Sequence, residues 1–354
     1  MKSTTYSKPK ISVIICCYGG EETITAALES LLNQDIERHF FEVLIVDDGS
    51  KDKSSQIINN FIKTKVTSET SIFKYFRKKN EGLSIARNFG IEKSTADLIV
   101  YIDEDATANR DYLSTIVHYF ENNPKVNCLG GEVELYNKNV IFAKLIQDSI
   151  FSLYMKDEGS VIGTNMAFRK SFLNDIGRFQ PEFTYRGDET ALFAKAKEKL
   201  VKGRSKQMIV KHFQPPNRKA WLNTRFENGY FTIAIDFFIE RPMSSIYMKM
   251  FKSILFILSP FLFLISIPLI VVFFKTALIL LVISLGLFFR KFLLNNLIQD
   301  TLKEFRKNRN NKTNLNDIIE IICLVIIGTY KSDYGYIKGY AKFKDVIWQK
   351  KPIT

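Results

Sequence analysis

The chain has few cysteines, and none of them lies at the spacing of a known metal-binding motif. Its 354 residues include four. Each lies in an apolar segment, which is typical of a small buried thiol in a reducing compartment. Zinc sites and disulfides are therefore not expected for Cys16, Cys17, Cys128 and Cys323.

The sequence also lacks a secretory signal and a nucleic-acid-binding motif. Met1–Lys10 is polar and has no apolar core, so we expect the large domain before residue 245 to stay in the cytosol. The formal net charge is +13, but the basic residues are not interleaved with aromatic ones as in nucleic-acid-binding motifs. Many of them flank an apolar segment after residue 248, which favours anchoring on anionic lipid headgroups and makes nucleic acid an unexpected partner.

That apolar segment is the longest in the chain. Ser253–Phe289 is interrupted only by Lys275 and a few small or proline residues. Since about 20 apolar residues cross a bilayer, we interpret residues 246–294 as a hairpin of two membrane helices with both basic flanks in the cytosol. The alternative is one long span with residues 290–354 outside.

Three domains are therefore predicted: a cytosolic catalytic domain over residues 1–245, the membrane hairpin, and a basic, membrane-associated helical tail over residues 295–354. Ile318–Ile327 is too short for a third span and is interpreted as a re-entrant or interfacial helix. Residues 217–240 form an aromatic-rich helix that either lies in the membrane interface or packs as an ordinary core helix. The protein is expected in the cell membrane as a multi-pass protein.

Before residue 245 the pattern alternates between strands and helices. Apolar strands are predicted at Ile11–Cys17, Phe41–Val46 and Leu98–Ile102, with a shorter one at Ile72–Phe76. Amphipathic helices lie between them. This order predicts an α/β fold with a mostly parallel sheet flanked by helices.

An acidic run follows the fourth of these strands. Asp103 and Asp105 are two residues apart, so in extended chain they point the same way while Glu104 points away. Two carboxylates on one side at the carboxyl end of a buried strand are suited to Mg²⁺ or Mn²⁺. A solvated acidic strand end is the alternative interpretation.

Four motifs in this order resemble family 2 glycosyltransferases of the GT-A fold. They are a first strand with its loop, a second strand ending in Asp-Asp-Gly-Ser, an Asn-Glu-Gly turn leading into a helix with Arg-Asn, and the acidic strand end. In this sequence they are Ile11–Gly19, Val43–Asp52, Asn80–Gly90 and Leu98–Asp105. The resemblance covers residues 10–240 and implies a nucleotide-diphosphate-sugar transferase.

The resemblance also implies site residues. Asp105 is the strongest metal ligand, Asp103 is shared between the metal and the ribose, and His212 either completes the coordination sphere or has a packing role. Arg87 faces the diphosphate. The other nucleotide contacts are Tyr18, Asp47, Asp48, Asn80 and Gly82.

The family is inverting, so one carboxylate should deprotonate the acceptor. Its usual Glu-Asp pair is reversed here, as Asp188-Glu189, so the base is one of these two. Position within the motif favours Glu189. Acidic residues at a helix N-terminus are also explained without catalysis.

The predicted function is a membrane-anchored, metal-dependent inverting glycosyltransferase that acts on a lipid-linked saccharide or a surface polysaccharide. Transfer to polyprenyl phosphate is one alternative, and a catalytically silent membrane scaffold with the same fold is another. The Gln-x-x-Arg-Trp motif of processive synthases is absent, since the chain reads Gln214-Pro215-Pro216-Asn217-Arg218-Lys219 at the comparable place.

Overall fold

The protein is represented by a computed structural model that describes residues 8–65, 72–137, 161–214, 217–272, 279, 281–287 and 315–348. Contacts between Cα atoms divide the chain into two compact units, Met1–Pro216 and Asn217–Thr354.

The first unit alternates strands and helices. Its strands are β1 Ile11–Cys17, β2 Phe41–Asp47, β3 Phe73–Arg77, β4 Leu98–Ile102, β5 Ala106–Ala108, β6 Cys128–Leu135, β7 Asn165–Arg169 and β8 Lys202–His212. Its helices are α1 Ile24–Leu32, α2 Ser54–Lys65, α3 Leu83–Lys93, α4 Tyr112–Asn122, α5 Lys170–Asp175 and α6 Asp188–Ala196.

These strands form one eight-stranded sheet in the order β3-β2-β1-β4-β7-β6-β8-β5. The first four strands in that order are parallel, as the alternation of strands and helices predicts. On the other side of β4 the sheet is mixed: β7 is antiparallel to β4 and β6, while β6 and β8 are parallel. The predicted GT-A-like α/β architecture is thus confirmed.

Both faces of the sheet are covered, because the side chains of a buried strand alternate between them. Val13 and Ile15 of β1 belong to the apolar core shared with α1, α2 and α4. Ile14 belongs to the core on the other face, which contains residues of α3, α5 and α6. This double burial explains why β1, β2 and β4 are continuous apolar runs.

Some predicted elements differ in extent. The long strand β8 is not among the strands predicted above, because its first half, from Lys202, consists mainly of polar and basic residues that carry no apolar alternation. The short strand β5 was not expected. Cys17 and Cys128 are buried free thiols as predicted, whereas Cys16 is only partly buried and Cys323 is exposed. Residues 273–278, 280 and 288–294 of the predicted hairpin lie outside the described residues.

Within its described residues, the second unit contains three long helices. They are α7 Arg218–Phe238, α8 Met243–Val272 and α9 Leu315–Trp348. Glycines allow α7 and α9 to approach closely: a Cβ atom at Gly229 would lie 1.8 Å from the carbonyl oxygen of Ser332, and one at Gly328 would lie 2.2 Å from the Trp221 ring. Trp221 is fully buried, so helix packing accounts for at least one aromatic residue of α7.

One stretch of α8 has the length and composition of a membrane span. It is Met243–Leu264, with 22 residues and a mean hydropathy of 1.5. Phe251, Phe261 and Leu264 are among its exposed side chains. The predicted hairpin is therefore represented by one candidate helix within the described residues. Ile318–Ile327, interpreted above as a short interfacial or re-entrant helix, forms part of the 34-residue helix α9.

Candidate active site

The acidic run lies at the centre of the sheet. β4 pairs with β1 on one side and with β7 on the other, and Asp103 and Asp105 follow its last residue. The main chain after β4 turns and forms β5, whose residue Ala106 is paired with His212 at the end of β8. The amide of Phe213 donates to the carbonyl oxygen of Asp105 at 2.8 Å. This pairing brings a histidine from far along the chain to the two aspartates.

Asp103, Asp105 and His212 converge with one potential ligand atom each, and these atoms lie within 4.8 Å of one another. Nε2 of His212 is 3.0 Å from Oδ1 of Asp105 and 3.8 Å from Oδ2 of Asp103. The structure thus brings together all three residues predicted as metal ligands.

The donor set fits a divalent cation. Oδ1 of Asp105 is buried, has no hydrogen-bond partner among the described residues and lies 3.0 Å from Nε2 of His212. Burial alone would lower the pKa of His212, but Asp105 and Asp103 raise it to about 10. The negative charge of the two aspartates, which stabilises a proton on His212, would also attract a metal ion. Two carboxylates with one imidazole suit Mn²⁺ or Mg²⁺.

Asp103 is also held by two residues outside this triad. The Thr164 hydroxyl donates to its Oδ2 at 2.7 Å, and Nη2 of Arg87 lies 3.7 Å from its Oδ1. Burial would raise the pKa of Asp103, but the neighbouring His212 ring and the charge of Arg87 keep it below its usual value. Asp103 is therefore an oriented carboxylate that stays ionised.

Glu104 points away from the two aspartates, as predicted. A Cβ atom at Gly20 would lie 2.8 Å from its Cγ, so its side chain lies against the loop after β1. Burial and the negative charges of Asp105 and Asp103 raise the pKa of Glu104 well above its usual value. This residue packs against the first loop and is not part of the ligand cluster.

Arg87 joins the acidic strand end to helix α6. Its Nη1 forms an ion pair with Asp188, and its Nη2 donates to the Gly163 carbonyl at 3.3 Å. The guanidinium carbon lies 5.4 Å from the ring centres of Tyr101 and Phe179. Only 3% of the Arg87 side chain is exposed, so it organises the floor of the site. Contact with a diphosphate stays a prediction.

The two candidate bases have different surroundings. Asp188 is 1% exposed and paired with Arg87, whereas Glu189 is partly exposed. A Cβ atom at Gly163 would lie 3.6 Å from the carboxyl carbon of Glu189, so that carboxyl group lies beside the segment that carries Thr164. Burial and the neighbouring Asp188 charge raise the pKa of Glu189 to about 8. A carboxyl group with a pKa near neutrality is suited to proton transfer.

Backbone geometry fixes where helix α6 begins. Gly187 has a φ of 83°, in the left-handed region that favours glycine, and precedes the first helical residue, Asp188. The first turn therefore carries both acidic side chains at the helix N-terminus, where backbone N–H groups without intrahelical partners stabilise negative charge.

The aspartates predicted to contact the nucleotide hold loops together in this structure. Asp47 is fully buried, with Oδ1 accepting from the Ser50 amide at 2.7 Å and Oδ2 from the Tyr75 hydroxyl at 2.7 Å. Asp48 accepts from Nζ of Lys78 at 2.7 Å and from the Gly82 amide at 2.8 Å. Their nucleotide contacts stay predictions.

The other predicted nucleotide residues lie in the loops that follow β1 and β3, at the carboxyl ends of these parallel strands. Tyr18 is 49% exposed and Asn80 is also exposed. Gly82 has a φ of 99°, and a Cβ atom there would lie 2.6 Å from that of Thr184, so this turn needs glycine.

Sequence reasoning missed two polar residues that support the cluster. Thr164 has no local signal in the sequence, because its contact with Asp103 joins segments that are far apart in the chain. Gln214 was seen only in the failed match to Gln-x-x-Arg-Trp, yet its Nε2 lies 2.8 Å from Nδ1 of His212. Its spacing of two residues from His212 is the available signal, because alternate residues of extended chain face the same way.

Comparison with known families agrees with this geometry. The model of glycosyl transferase family 2 matches residues 12–177, and that of glycosyl transferase family group 2 matches residues 98–291, more than half of the chain. The chain belongs to the family 2 glycosyltransferases. The family indicated by the sequence motifs is confirmed. The acidic strand end lies within both matched regions of this glycosyltransferase.

Two curated relatives indicate the range of the family. The glucosyl-dolichyl phosphate glucuronosyltransferase of Haloferax volcanii is 25% identical to this glycosyltransferase over 243 residues, which cover 62% of this chain and 75% of the relative. The poly-beta-1,6-N-acetyl-D-glucosamine synthase of Staphylococcus epidermidis is 27% identical over 187 residues. That match covers 50% of this chain and spans less than half, 43%, of the synthase.

A solved structure supports the fold over nearly the whole chain. The mannosyltransferase PcManGT from Pyrobaculum calidifontis, in complex with GDP-Man and Mn²⁺, aligns with a TM-score of 0.56 over 98% of this chain and 89% of its own. The sequence identity is 14%, so this similarity shows the fold alone.

Proposed function

We propose that this glycosyltransferase is a metal-dependent, inverting enzyme that transfers a sugar from a nucleotide diphosphate donor to a lipid-linked saccharide or a surface polysaccharide at a membrane. The observation that carries the proposal is the convergence of Asp103, Asp105 and His212, with Glu189 close to the segment that orients Asp103.

Asp103, Asp105 and His212 would hold Mg²⁺ or Mn²⁺. A bound cation would supply charge relief for the departing nucleoside diphosphate. The structure of PcManGT in complex with GDP-Man and Mn²⁺ supports this combination of donor and metal in the same fold. Thr164 and Arg87 would keep Asp103 ionised and oriented, so that it binds without first losing a proton.

Glu189 would act as the general base. A single displacement with inversion needs a group that takes the proton of the acceptor hydroxyl as the new bond forms. Asp188 is committed to the buried ion pair with Arg87, which makes it a poor acceptor of a substrate proton. Glu189 is partly exposed, and its raised pKa makes its carboxylate a stronger base than an ordinary glutamate.

The acceptor would be held at a membrane. Met243–Leu264 supports an anchor, since it is long and apolar enough to cross a bilayer and exposes Phe251, Phe261 and Leu264. The names of the two relatives support lipid-linked and polysaccharide acceptors. An enzyme that acts on soluble acceptors would gain little from this helix.

A screen of donors tests the function. Purified protein with Mn²⁺ is heated with a panel of nucleotide sugars, and the midpoint of thermal unfolding is measured. A bound donor raises the midpoint by mass action. A donor concentration of one hundred times Kd stabilises the folded state by about 2.7 kcal/mol. The stabilising donor is then incubated with membrane lipid extract, and release of nucleoside diphosphate is followed. Binding without hydrolysis or transfer of any donor would favour the silent scaffold.

Reporter fusions test the membrane topology. Fusions after residues 245 and 310 should both report the cytosol if basic residues flank a hairpin on the same side. A cytosolic signal after residue 245 with an external signal after residue 310 would replace the hairpin by a single span. Recovery of the full chain from the soluble fraction would reject the anchor.

A further inference from the structure

Gln214 contacts the ring of His212 on the side opposite to the aspartates. Its side-chain amide lies 2.8 Å from Nδ1 of the imidazole, while Nε2 of the same ring lies 3.0 Å from Asp105. Gln214 is only 3% exposed, although it carries a polar side chain. The ring is thus held between one neutral amide and a pair of carboxylates.

The local chain explains this placement. His212 is the last residue of β8, and Gln214 follows two positions later, so an extended backbone directs both side chains to the same side. Pro215 comes next in the sequence and disfavours a helical conformation for Gln214. The side chain of Asn137 then fixes the Gln214 backbone: its Oδ1 accepts from the amide at 3.1 Å, and its Nδ2 donates to the carbonyl at 2.7 Å.

The contact bears on which nitrogen of His212 can bind a metal. A neutral imidazole carries one N–H, and only the other nitrogen has a lone pair for a cation. In this structure Nε2 of Gln214 is the atom that faces Nδ1, and a half-turn about the last side-chain torsion exchanges it with the amide oxygen. An oxygen facing Nδ1 would accept a hydrogen bond from it and leave the lone pair on Nε2, toward Asp103 and Asp105.

We propose that Gln214 is a positioning residue that turns its amide oxygen toward His212, accepts a hydrogen bond from Nδ1 and thereby keeps Nε2 available to bind a divalent cation with Asp103 and Asp105. The proposal rests on the metal site proposed above. Groups that hold the second ring nitrogen of a metal-binding histidine typically change metal affinity by about 10–100-fold when removed.

Metal titration without any sugar donor tests this role. Binding of Mn²⁺ is measured by the loss of the free-ion EPR signal in the full-length wild type and two variants. Gln214→Leu removes the acceptor and should weaken Mn²⁺ binding by about 10–100-fold. Gln214→Glu keeps an acceptor oxygen of similar reach and should bind Mn²⁺ at least as tightly as wild type. Gln207→Leu, at an exposed position of β8, is the matched control and should bind normally.

A spectroscopic measurement covers the case in which Gln214→Leu does not fold. The chain has three histidines, so ¹⁵N-histidine labelling gives a simple NMR spectrum. The imidazole signals that disappear in His212→Asn are assigned to His212. In wild type saturated with Mg²⁺, the proton should be on Nδ1. A proton on Nε2, or normal Mn²⁺ binding by folded Gln214→Leu, would overturn this role and leave the metal site intact. Absence of Mn²⁺ binding by wild type would overturn both.

Discussion

Arg87 and Asp188 form an ion pair whose side chains are only 3% and 2% exposed. The pair connects helix α3 to the first turn of helix α6 and lies next to Asp103, since Nη2 of Arg87 is 3.7 Å from Oδ1 of that residue. Replacing one partner of a buried ion pair with a neutral residue leaves the charge of the other partner uncompensated. Asp188 therefore serves the architecture of the site, and its neighbour Glu189 is left as the candidate base.

The first prediction separates these two acids. Glu189→Gln should lower the transfer rate by about 10²–10⁴-fold, the usual contribution of a general base, with donor affinity nearly unchanged. Asp188→Asn should cost less in rate and more in stability, up to about 3–5 kcal/mol, because Arg87 loses its charged partner. Transfer rates, donor affinities and unfolding midpoints are measured for both variants.

Glu198→Gln is the control for this comparison, because Glu198 is exposed in the short 3-10 turn after α6. It should behave as wild type. A folded but inactive Asp188→Asn enzyme beside a nearly normal Glu189→Gln enzyme would transfer the role of base to Asp188.

The second prediction concerns pH and stability. The pKa of Glu189 is raised from 4.5 to about 8, so the folded state binds a proton that the unfolded state has lost between these two values. Stability should therefore fall as pH rises through this range. Glutamine cannot ionise, so Glu189→Gln should raise the midpoint of thermal unfolding relative to wild type. This increase should be larger at pH 8 than at pH 5. Equal gains at both pH values would mean that Glu189 is not a raised-pKa acid.

The third prediction concerns the second unit. Gly229→Ala should destabilise the packing of α7 against α9, because the added Cβ would lie 1.8 Å from the Ser332 carbonyl oxygen and the helices would have to separate. Gly286→Ala is the matched control, since a Cβ atom there has no neighbour within 4 Å among the described residues. In a helix alanine is favoured over glycine by about 1 kcal/mol, so the control should be neutral or stabilising. Thermal unfolding of both variants measures the difference, and equal midpoints would reject the close helix contact.

Much of the fold follows from local patterns. β1, β2 and β4 are apolar runs because both faces of the sheet are covered, and the acidic residues after β4 mark the edge where the site forms. The first half of β8 is mainly polar and basic and pairs with β6 through its backbone, so its apolar pattern is weak. β5 has only three residues and exists because β8 lies beside it.

The site shows the same division. Asp103 and Asp105 are predicted by their spacing, and His212 by the family motif. Two contacts depend on how distant segments pack and leave no periodic pattern in the local sequence. They are the pairing of Arg87 with Asp188 and the hydrogen bond of Thr164 to Asp103. For Gln214 a local signal exists, since it lies two residues from His212 in extended chain, but it has meaning only once His212 is known to face the aspartates.

Dependence on a divalent cation tests the central claim most directly. The rate of sugar transfer is measured for wild type, for wild type treated with a chelator and then given Mn²⁺, for Asp105→Asn, and for Asp35→Asn as an exposed control. We predict that chelation abolishes transfer, that Mn²⁺ restores it, that Asp105→Asn remains folded but inactive even with Mn²⁺, and that the control is normal. Transfer that survives both chelation and Asp105→Asn would contradict the account, because a protein cation would then be neutralising the leaving group.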